Sequence, residues 1–419
     1  MSYEFTAALL IFLVTYSLIA VRKFRGRRIK TYVAAIIGGA LMLLCGVVTP
    51  GEAVSFINMP VLLQLLGMMM LTAALEYCGF FEIIVDWLMR RFRDRQRFLT
   101  GVMIITAVLA AVMLNDAVVL IFAPIVLRCC VRMRADPAPY LVGVFIAANI
   151  GSAATVVGNP QNALVAAMAG LGFAEYSVRV IPLAVICMAV AILMLGRLYQ
   201  KQITEIVDMT DQFIPVREVN RPRLYAVLGI TAAALVLFTV SSFIGLAIWQ
   251  IALAAGFLAL LVVMTKKAEA AVYVAKHVDW SILLFFIGLF VVIAGVVSSG
   301  LLDSLSGLFG LGNGEVPSVA GLTVFSAVLA NLVSNVPSVM LIGELLPADN
   351  MVLWITLAVT STFAGNATLI GAAANLIVQD EGDKHGVHLS AWRYLRIGLP
   401  VAVVTLAIAA AYLTLLSLL

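Results

Sequence analysis

The chain has 419 residues, of which 63% are hydrophobic and only 11% charged, and its formal net charge is +4. A mean hydropathy of +1.11 excludes an ordinary soluble domain, in which about a quarter of the residues are charged. Apolar runs of about 20 residues recur from end to end and are continuous rather than alternating, which reads as a polytopic helical membrane protein and not as a barrel.

The first run, 5–21, is preceded by Glu4 and lacks both a basic leader and a small-residue cleavage pattern, so it reads as a retained span rather than a signal peptide. Basic loops stay on the cytoplasmic side. "RKFRGRRIK" (22–30) therefore places the N-terminus outside. Span 31–48 runs outward to "TPGEAVSFIN", which holds no Lys or Arg, and span 59–78 returns inward to Arg90, Arg91, Arg93, Arg95 and Arg97.

From Arg97 the chain is apolar to Leu114, meets Asn115 and Asp116, and is apolar again to Leu127, before Arg128, Arg132 and Arg134. Both ends are basic, and each arm spans roughly 23–26 Å at helical rise, short of a 30 Å hydrocarbon core. The pattern predicts a re-entrant helical hairpin over about 98–131, its tip buried in protein where irregular backbone is tolerated.

A broken segment, 140–171, then runs out and span 177–199 comes in. The polar stretch 200–222 reads as a cytoplasmic linker, followed by spans 223–243, 246–264 and 279–298. Residues 299–350 hold no Lys or Arg but carry Asp303, Glu315, Glu344 and Asp349. Within them "SAVLANLVSNVPSVMLIGELLP" (326–347) predicts a second hairpin, about 319–347, of opposite orientation. Segment 351–379 goes in and 397–418 goes out, leaving both termini external. Every Lys and Arg except Arg179 then falls on the cytoplasmic side.

The two halves carry matching pieces in matching order. "SAATVVGNPQNALV" (152–165) aligns with "GNATLIGAAANLIV" (365–378), placing Thr155 on Thr368, Gly158 on Gly371 and Asn162 on Asn375. The expected fold is therefore all-α. It is an inverted repeat of two five-helix halves (1–199 and 223–419), about ten transmembrane helices plus two opposed re-entrant hairpins and broken helices.

The polar breaks point to transport. Asn115 with Asp116, Asn159 to Asn162 around Pro160 and Gln161, Ser334 with Asn335 and Pro337, and Asn366 with Thr368 and Asn375 all interrupt apolar helices. Amides, hydroxyls and freed backbone groups can replace the hydration shell of a small solute without a fixed charge that would trap it. Half-helix N-termini at the tips offer N–H groups. The expected solute ligands are Asn115, Asn159, Gln161, Asn162, Ser334, Asn335, Asn366, Thr368 and Asn375. Asp116 stands apart, because a carboxylate at the bilayer centre costs about 2.5–3.5 kcal/mol on insertion scales. It is the expected coupling residue, with Thr155 beside it, carrying H+ or alternatively ligating Na+. Gln64, Thr106 and Ser326 read as helix–helix glue, and Glu76 and Glu344 as interfacial.

No Walker A pattern, metal-ligand spacing or Ser/His/Asp set appears, so no cofactor, metal or ATP hydrolysis by this chain is expected. An intramembrane aspartyl protease would need a second membrane Asp. His277, His385 and His388 fall in predicted cytoplasmic loops, which argues against a histidine relay. Cys45, Cys78, Cys129, Cys130 and Cys187 lie in or beside apolar segments without CxxC spacing and read as packing residues.

The pieces "NDAVVLIFAPIVL", "NIGSAATVVGNPQN", "NLVSNVPSVML" and "GNATLIGAAANLIVQDEGDKHGVHLSAWRYLRIGLP" resemble the ion transporter superfamily, nearest its arsenite permease, melanosomal P-protein and citrate-permease-like group. The resemblance spans about 98–400. It implies a scaffold part, a moving part and two opposed hairpins. Its sodium–dicarboxylate branch has Ser-Asn-Thr at both tips, whereas here the tips read Leu114-Asn115-Asp116 and Ser334-Asn335-Val336. The Asn-Asp tip looks more like the arsenite-permease and sodium/proton-antiporter branches. The resemblance thus implies a secondary transporter of a small inorganic solute, of proton-coupled arsenite or antimonite efflux type. The alternatives are another anion (carboxylate or sulfate) or sodium/proton antiport. Expected partners are the lipid bilayer and the solute, with a second copy of the chain and a separate ATPase subunit as candidates and no nucleic acid. A bacterial inner membrane is the expected location.

Overall fold

The computed structural model describes residues 2–418 apart from 22, 25–26, 29, 93, 205–218, 266–268, 303, 305–316, 370 and 388–389. Most of the predicted linker, Asp303, Glu315 and His388 lie outside the described residues. Helices run α1 (Tyr3–Val21), α2 (Thr31–Leu44), α3 (Pro50–Phe56), α4 (Met59–Tyr77), α5 (Phe80–Arg91), α6 (Arg95–Val112), α7 (Asn115–Met133), α8 (Pro137–Ser152), α9 (Pro160–Ala169), α10 (Phe173–Leu198) and α11 (Gln200–Thr204). The second half continues with α12 (Arg221–Ile244), α13 (Ile248–Met264), α14 (Glu269–His277), α15 (Trp280–Ser298), α16 (Val319–Val333), α17 (Asn335–Gly343), α18 (Met351–Ala364), α19 (Ala373–Lys384) and α20 (Ala391–Ser417). A two-residue antiparallel pair, Lys23–Phe24 with Arg27–Arg28, is the sole strand pairing among the described residues.

Six helical stretches are long and apolar enough to cross a membrane by length and composition: α4, α6, α10, α12, α15 and Tyr394–Ser417 of α20. Six shorter apolar stretches accompany them: Tyr3–Ile19, α2, α8, α13, α16 and α18. The ends are set by the residues that flank the apolar runs. Asn58 accepts from the Val61 N–H, Asp94 from Arg97, Asn220 from Arg223, Ser318 from Gly321 and Asn350 from Leu353. Each cap satisfies a donor that the first helical turn cannot. α12 accordingly begins at Arg221, two residues before the predicted span.

Close packing between the halves runs through small residues. α4 lies against α13, and α2 against α15. A Cβ on Gly67 would sit 2.4 Å from the Ala252 carbonyl, and one on Gly256 2.6 Å from the Gly67 oxygen. On the other pair, a Cβ on Gly288 would lie 2.5 Å from the Ala35 carbonyl carbon, and one on Gly39 3.0 Å from the Gly288 oxygen. Small residues let membrane helices approach to backbone contact, which replaces the missing hydrophobic drive between them.

Three short helices depart from the sequence reading. "TPGEAVSFIN" is not a plain loop but holds α3, opened by a capping box of Thr49 and Glu52. α5 occupies the stretch read as the start of the basic loop, and α14 that between spans 246–264 and 279–298. Both are amphipathic and too short to register as spans.

Candidate functional site

Each predicted hairpin is a pair of helices with a buried tip. α6 ends at Val112 and α7 starts at Asn115, with Leu114 and Asn115 1% and 4% exposed. The tip is held by the break between α8 and α9. The Asn115 N–H donates to the Gly158 carbonyl at 2.9 Å, and the Thr155 hydroxyl to the Ala111 carbonyl at 2.5 Å. Only glycine fits at 158, because a Cβ would sit 2.3 Å from the Ser152 oxygen. The Asp116 N–H donates to Asn115 Oδ1 at 2.8 Å. Two N–H groups that the sequence reading offered to a solute are therefore consumed within the protein.

The second tip is built on the same logic with different residues. Asn335 is 4% exposed and faces two acceptors, the carbonyls of Gly371 (2.7 Å) and Ser361 (2.9 Å), so its amide nitrogen points at them. Thr368 donates to Asn331 Oδ1 at 2.8 Å, and Asn331 donates to the Ala364 carbonyl at 3.0 Å. Between α16 and α17, Ser334 adopts φ 81° and ψ 159°, a region that L residues rarely occupy.

The two helix breaks are stapled by asparagines. Asn162 Nδ2 donates to the carbonyls of Ser152 (3.0 Å) and Thr155 (2.9 Å), and Asn375 Nδ2 to those of Gly365 (2.6 Å) and Thr368 (2.9 Å). Tyrosine hydroxyls add a further donor to each, Tyr176 to the Ala153 carbonyl at 2.9 Å and Tyr394 to the Asn366 carbonyl at 3.1 Å. Unwinding a buried helix frees carbonyls that must be paired, and these side chains pair them. Asn159 accepts from the Asn162 N–H at 2.8 Å and so caps α9. The breaks are also tied to each other's neighbours. Asn149 Nδ2 donates to Asn366 Oδ1 at 2.9 Å, and Gln161 Nε2 to the Thr362 hydroxyl at 3.2 Å.

A cavity of about 70 Å³ opens where the tips meet. It is lined by Asn115 and Asp116 from the first tip, Pro160 and Gln161 from the first break, Ser334, Asn335 and Val336 from the second tip and Ala372 from the second break. Ile282, Phe285 and Phe286 of α15 form the opposite wall. Of the expected site residues, Asn115, Asp116, Gln161, Ser334 and Asn335 come together on this cavity. Asn159, Asn162, Asn366, Thr368, Asn375 and Thr155 lie behind it, in the network that shapes the breaks. Asn149, Asn331, Thr362, Tyr176 and Tyr394 belong to that network and carried no sequence signal beyond being polar in apolar helices.

Two side chains left at the rim by the sequence reading sit beside the site. Glu76 and His277 line a second cavity together with Asp116 and Asp279. His277 is at the end of α14 rather than in a loop. The packing of α14 against α4 brings the two together. Gln64 and Ser326 do bind across helices, Gln64 to the Val156 carbonyl at 3.4 Å and Ser326 with Thr360 at 2.5 Å.

Paired hairpins, paired helix breaks and a small polar cavity among apolar helices are the frame of a polytopic membrane transporter. The chain belongs to the citrate transporter family, which it matches over residues 16–351. It is similar along its length to an uncharacterized transporter of Mycobacterium bovis, at 30% identity over 97% of each chain. It is also similar to a silicon efflux transporter of Oryza sativa subsp. japonica, at 26% identity over 89% of this chain and 90% of the other. A putative transporter arsB of Dictyostelium discoideum shares 24% identity over 90% of this chain and 85% of its own length. Among solved structures, the YdaH transporter of Alcanivorax borkumensis has the same fold, with a TM-score of 0.63 at 13% identity over 99% and 98% of the two chains.

Proposed function

We propose that the protein is a proton-coupled secondary transporter that exports a small, uncharged, oxygen-rich solute of arsenite type, with Asp116 as the coupling residue. The observation that carries this reading is the composition of the tip cavity. Its polar side chains are Asn115, Gln161, Ser334, Asn335 and one acid, Asp116, with no Lys or Arg among its lining residues. As(OH)3 is neutral near pH 7, and its hydroxyls can donate to a carboxylate and accept from amides. The silicon efflux and arsB names among the relatives support the same solute chemistry, since dissolved silicon is likewise an uncharged hydroxide near neutral pH.

Coupling follows from the acid. An ionised Asp116 accepts hydrogen bonds from the solute's hydroxyls and travels compensated. The unloaded carrier would move a bare carboxylate, at a cost of about 2.5–3.5 kcal/mol, so it returns with a proton instead. One group thus serves solute and proton alternately, which is antiport. The Gly67–Gly256 contact has its counterpart in Gly39–Gly288, and the carbonyl bonds of Asn162 have theirs in those of Asn375; both support an inverted-repeat relation between the halves. Such a relation suits alternating access.

The family's description favours a second reading, a carboxylate such as citrate. Against it stand the lack of a cation on the cavity wall and the internal use of the first tip's N–H groups.

The test is internal pH in inverted-membrane vesicles under an imposed proton gradient, for wild type and Asp116→Asn, with arsenite, silicic acid, citrate, sulfate and sodium added singly. A pH response to arsenite or silicic acid that is lost in the variant is expected. A response to citrate alone moves the protein to the second reading, and one to sodium alone makes it a sodium/proton antiporter. A response unchanged in the variant removes Asp116 from the coupling.

A further inference from the structure

Asp116 lines two cavities. Besides the tip cavity it borders one of about 40 Å³ on the side where α4 ends and α15 begins. Thr72 and Glu76 of α4, His277 of α14 and Asp279 ahead of α15 supply its polar lining. Ile282 is the other residue common to both cavities, so Asp116 and Ile282 form the partition between them. The distribution of ionisable groups is lopsided: the tip cavity has Asp116 alone, while the second has Glu76, His277 and Asp279 as well. The Asp116 side chain is buried at 7% exposure, and its carboxylate has no hydrogen-bond partner among the described residues.

We propose that the second cavity is a dedicated proton path, through which Asp116 exchanges its proton with the cytoplasm by way of Asp279, His277 and Glu76 while the solute occupies the tip cavity. The proposal rests on the proton coupling proposed above. The cytoplasmic assignment follows the basic residues at this end, Arg90, Arg91 and Lys276.

The geometry suits a relay. The cavity has room for a water, and Thr72, Glu76, Asp116, His277 and Asp279 give such a water polar partners on an otherwise apolar wall; it can carry a proton between carboxylates that do not touch. Asp279 Oδ1 accepts from the N–H groups of Ser281 (3.0 Å) and Ile282 (3.3 Å), so the carboxylate is fixed at the start of α15 while Oδ2 takes no part in the cap. His277 Nδ1 lies 2.8 Å from the Tyr273 carbonyl. A carbonyl only accepts, so Nδ1 carries a hydrogen and Nε2 is the nitrogen that gains and loses a proton. The ring is held by stacking on Tyr273 at 3.7 Å. From α19 only Ile377 reaches the lining. Of the described charged residues of α19, Glu381 pairs with Lys384 at 2.8 Å and faces His385 Nδ1 at 3.6 Å, and none is among the residues that line the cavity. In the release step the Asp116 O–H bond breaks, its proton passes through water to Asp279 or to His277 Nε2 and on to bulk water on the cytoplasmic side, and Asp116 is left as the carboxylate. Antiport then requires that Asp116 regain its proton on the outer side, after the solute has left, and not through this path.

The test uses the purified full chain in liposomes carrying an internal pH dye, with arsenite as the probe. Asp279→Asn and His277→Gln are combined, because Asn caps a helix about as well as Asp and the fold is then retained. Two rates are read: proton movement on arsenite addition, and arsenite–arsenite exchange, which moves no net proton. Proton movement slowed by about tenfold or more, in line with loss of positioned proton carriers, with exchange unchanged, is the expected result. Proton movement at the wild-type rate in the double variant overturns the path. So does an equal fall in both rates, which marks a structural effect. If wild type moves no protons with arsenite or silicic acid, the proposed function itself fails and the path falls with it.

Discussion

Asn162 separates two roles that a polar residue in a broken membrane helix can have. Its Nδ2 serves the Ser152 and Thr155 carbonyls at 3.0 and 2.9 Å, with a longer contact to Ala153 at 3.4 Å, and it does not line the tip cavity. In Asn162→Ala the two short bonds are lost. Hydrogen bonds in membrane helices average about 0.6 kcal/mol and reach about 1.7, so the loss of two is worth about 1–3 kcal/mol. The bonded carbonyls stay buried with the break, which places the effect toward the upper end. Asn375→Ala is expected to be at least as severe, since its amide also donates to the Tyr394 hydroxyl at 3.0 Å and accepts from Asn149 at 3.2 Å. The assay is the midpoint of thermal unfolding in detergent, followed by tryptophan fluorescence, beside initial transport rates against solute concentration. Both variants are expected to melt several degrees early, with maximal rate falling more than apparent affinity. A variant that melts with wild type but binds solute tenfold more weakly refutes the reasoning. The amide would then be a solute ligand.

Ser334→Gly is expected to raise the melting point, because glycine takes φ 81° and ψ 159° without the 1–3 kcal/mol that such backbone costs other residues, roughly estimated. It also removes a hydroxyl from the cavity wall, so weaker solute affinity in a more stable protein is the outcome to measure; a destabilised variant contradicts it. Gly67→Ala forces a Cβ to 2.4 Å from the Ala252 backbone, while Gly229 has nothing within 4 Å. Detergent melting is expected to fall for the first, by about 1–3 kcal/mol as for other overpacked sites, and to hold or rise for Gly229→Ala. At the exposed α3 cap, hydrogen bonds from the Thr49 N–H and hydroxyl, both 2.8 Å, hold the Glu52 carboxyl below its ordinary value. A depressed folded value means the cap's contribution is intact above the ordinary carboxylate range and is lost as pH falls through the lowered value. The protection of the α3 amides, taken as the exchange rate relative to the intrinsic rate at each pH, is therefore expected to be flat between pH 8 and 6, and to fall under acid in wild type but not in Glu52→Gln.

What the chain discloses before folding depends on how far apart the cooperating residues are. The hairpins are legible because a run such as 98–127 sets an Asn-Asp pair between apolar arms with basic residues at both ends, and because Lys and Arg mark one side of a membrane. The tip residues Asn115, Asp116, Ser334 and Asn335 stand out for the same reason. The breaks were legible as breaks, yet not what their amides do. Asn162 and Asn375 look like solute ligands in a sequence, and the fold turns both onto backbone carbonyls seven to ten residues back. That requirement is internal to the unwound turn, since every carbonyl freed inside a membrane needs a donor. The second cavity was not legible at all. Glu76 and His277 each sit at a helix end, where a charge is ordinary, and only the packing of α14 onto α4 sets them beside Asp116. A charge read as interfacial from its own neighbours is thus reassigned by a helix too short and amphipathic to count as a span. Short helices at the membrane rim are therefore the part of such a sequence whose ionisable residues most need a structure.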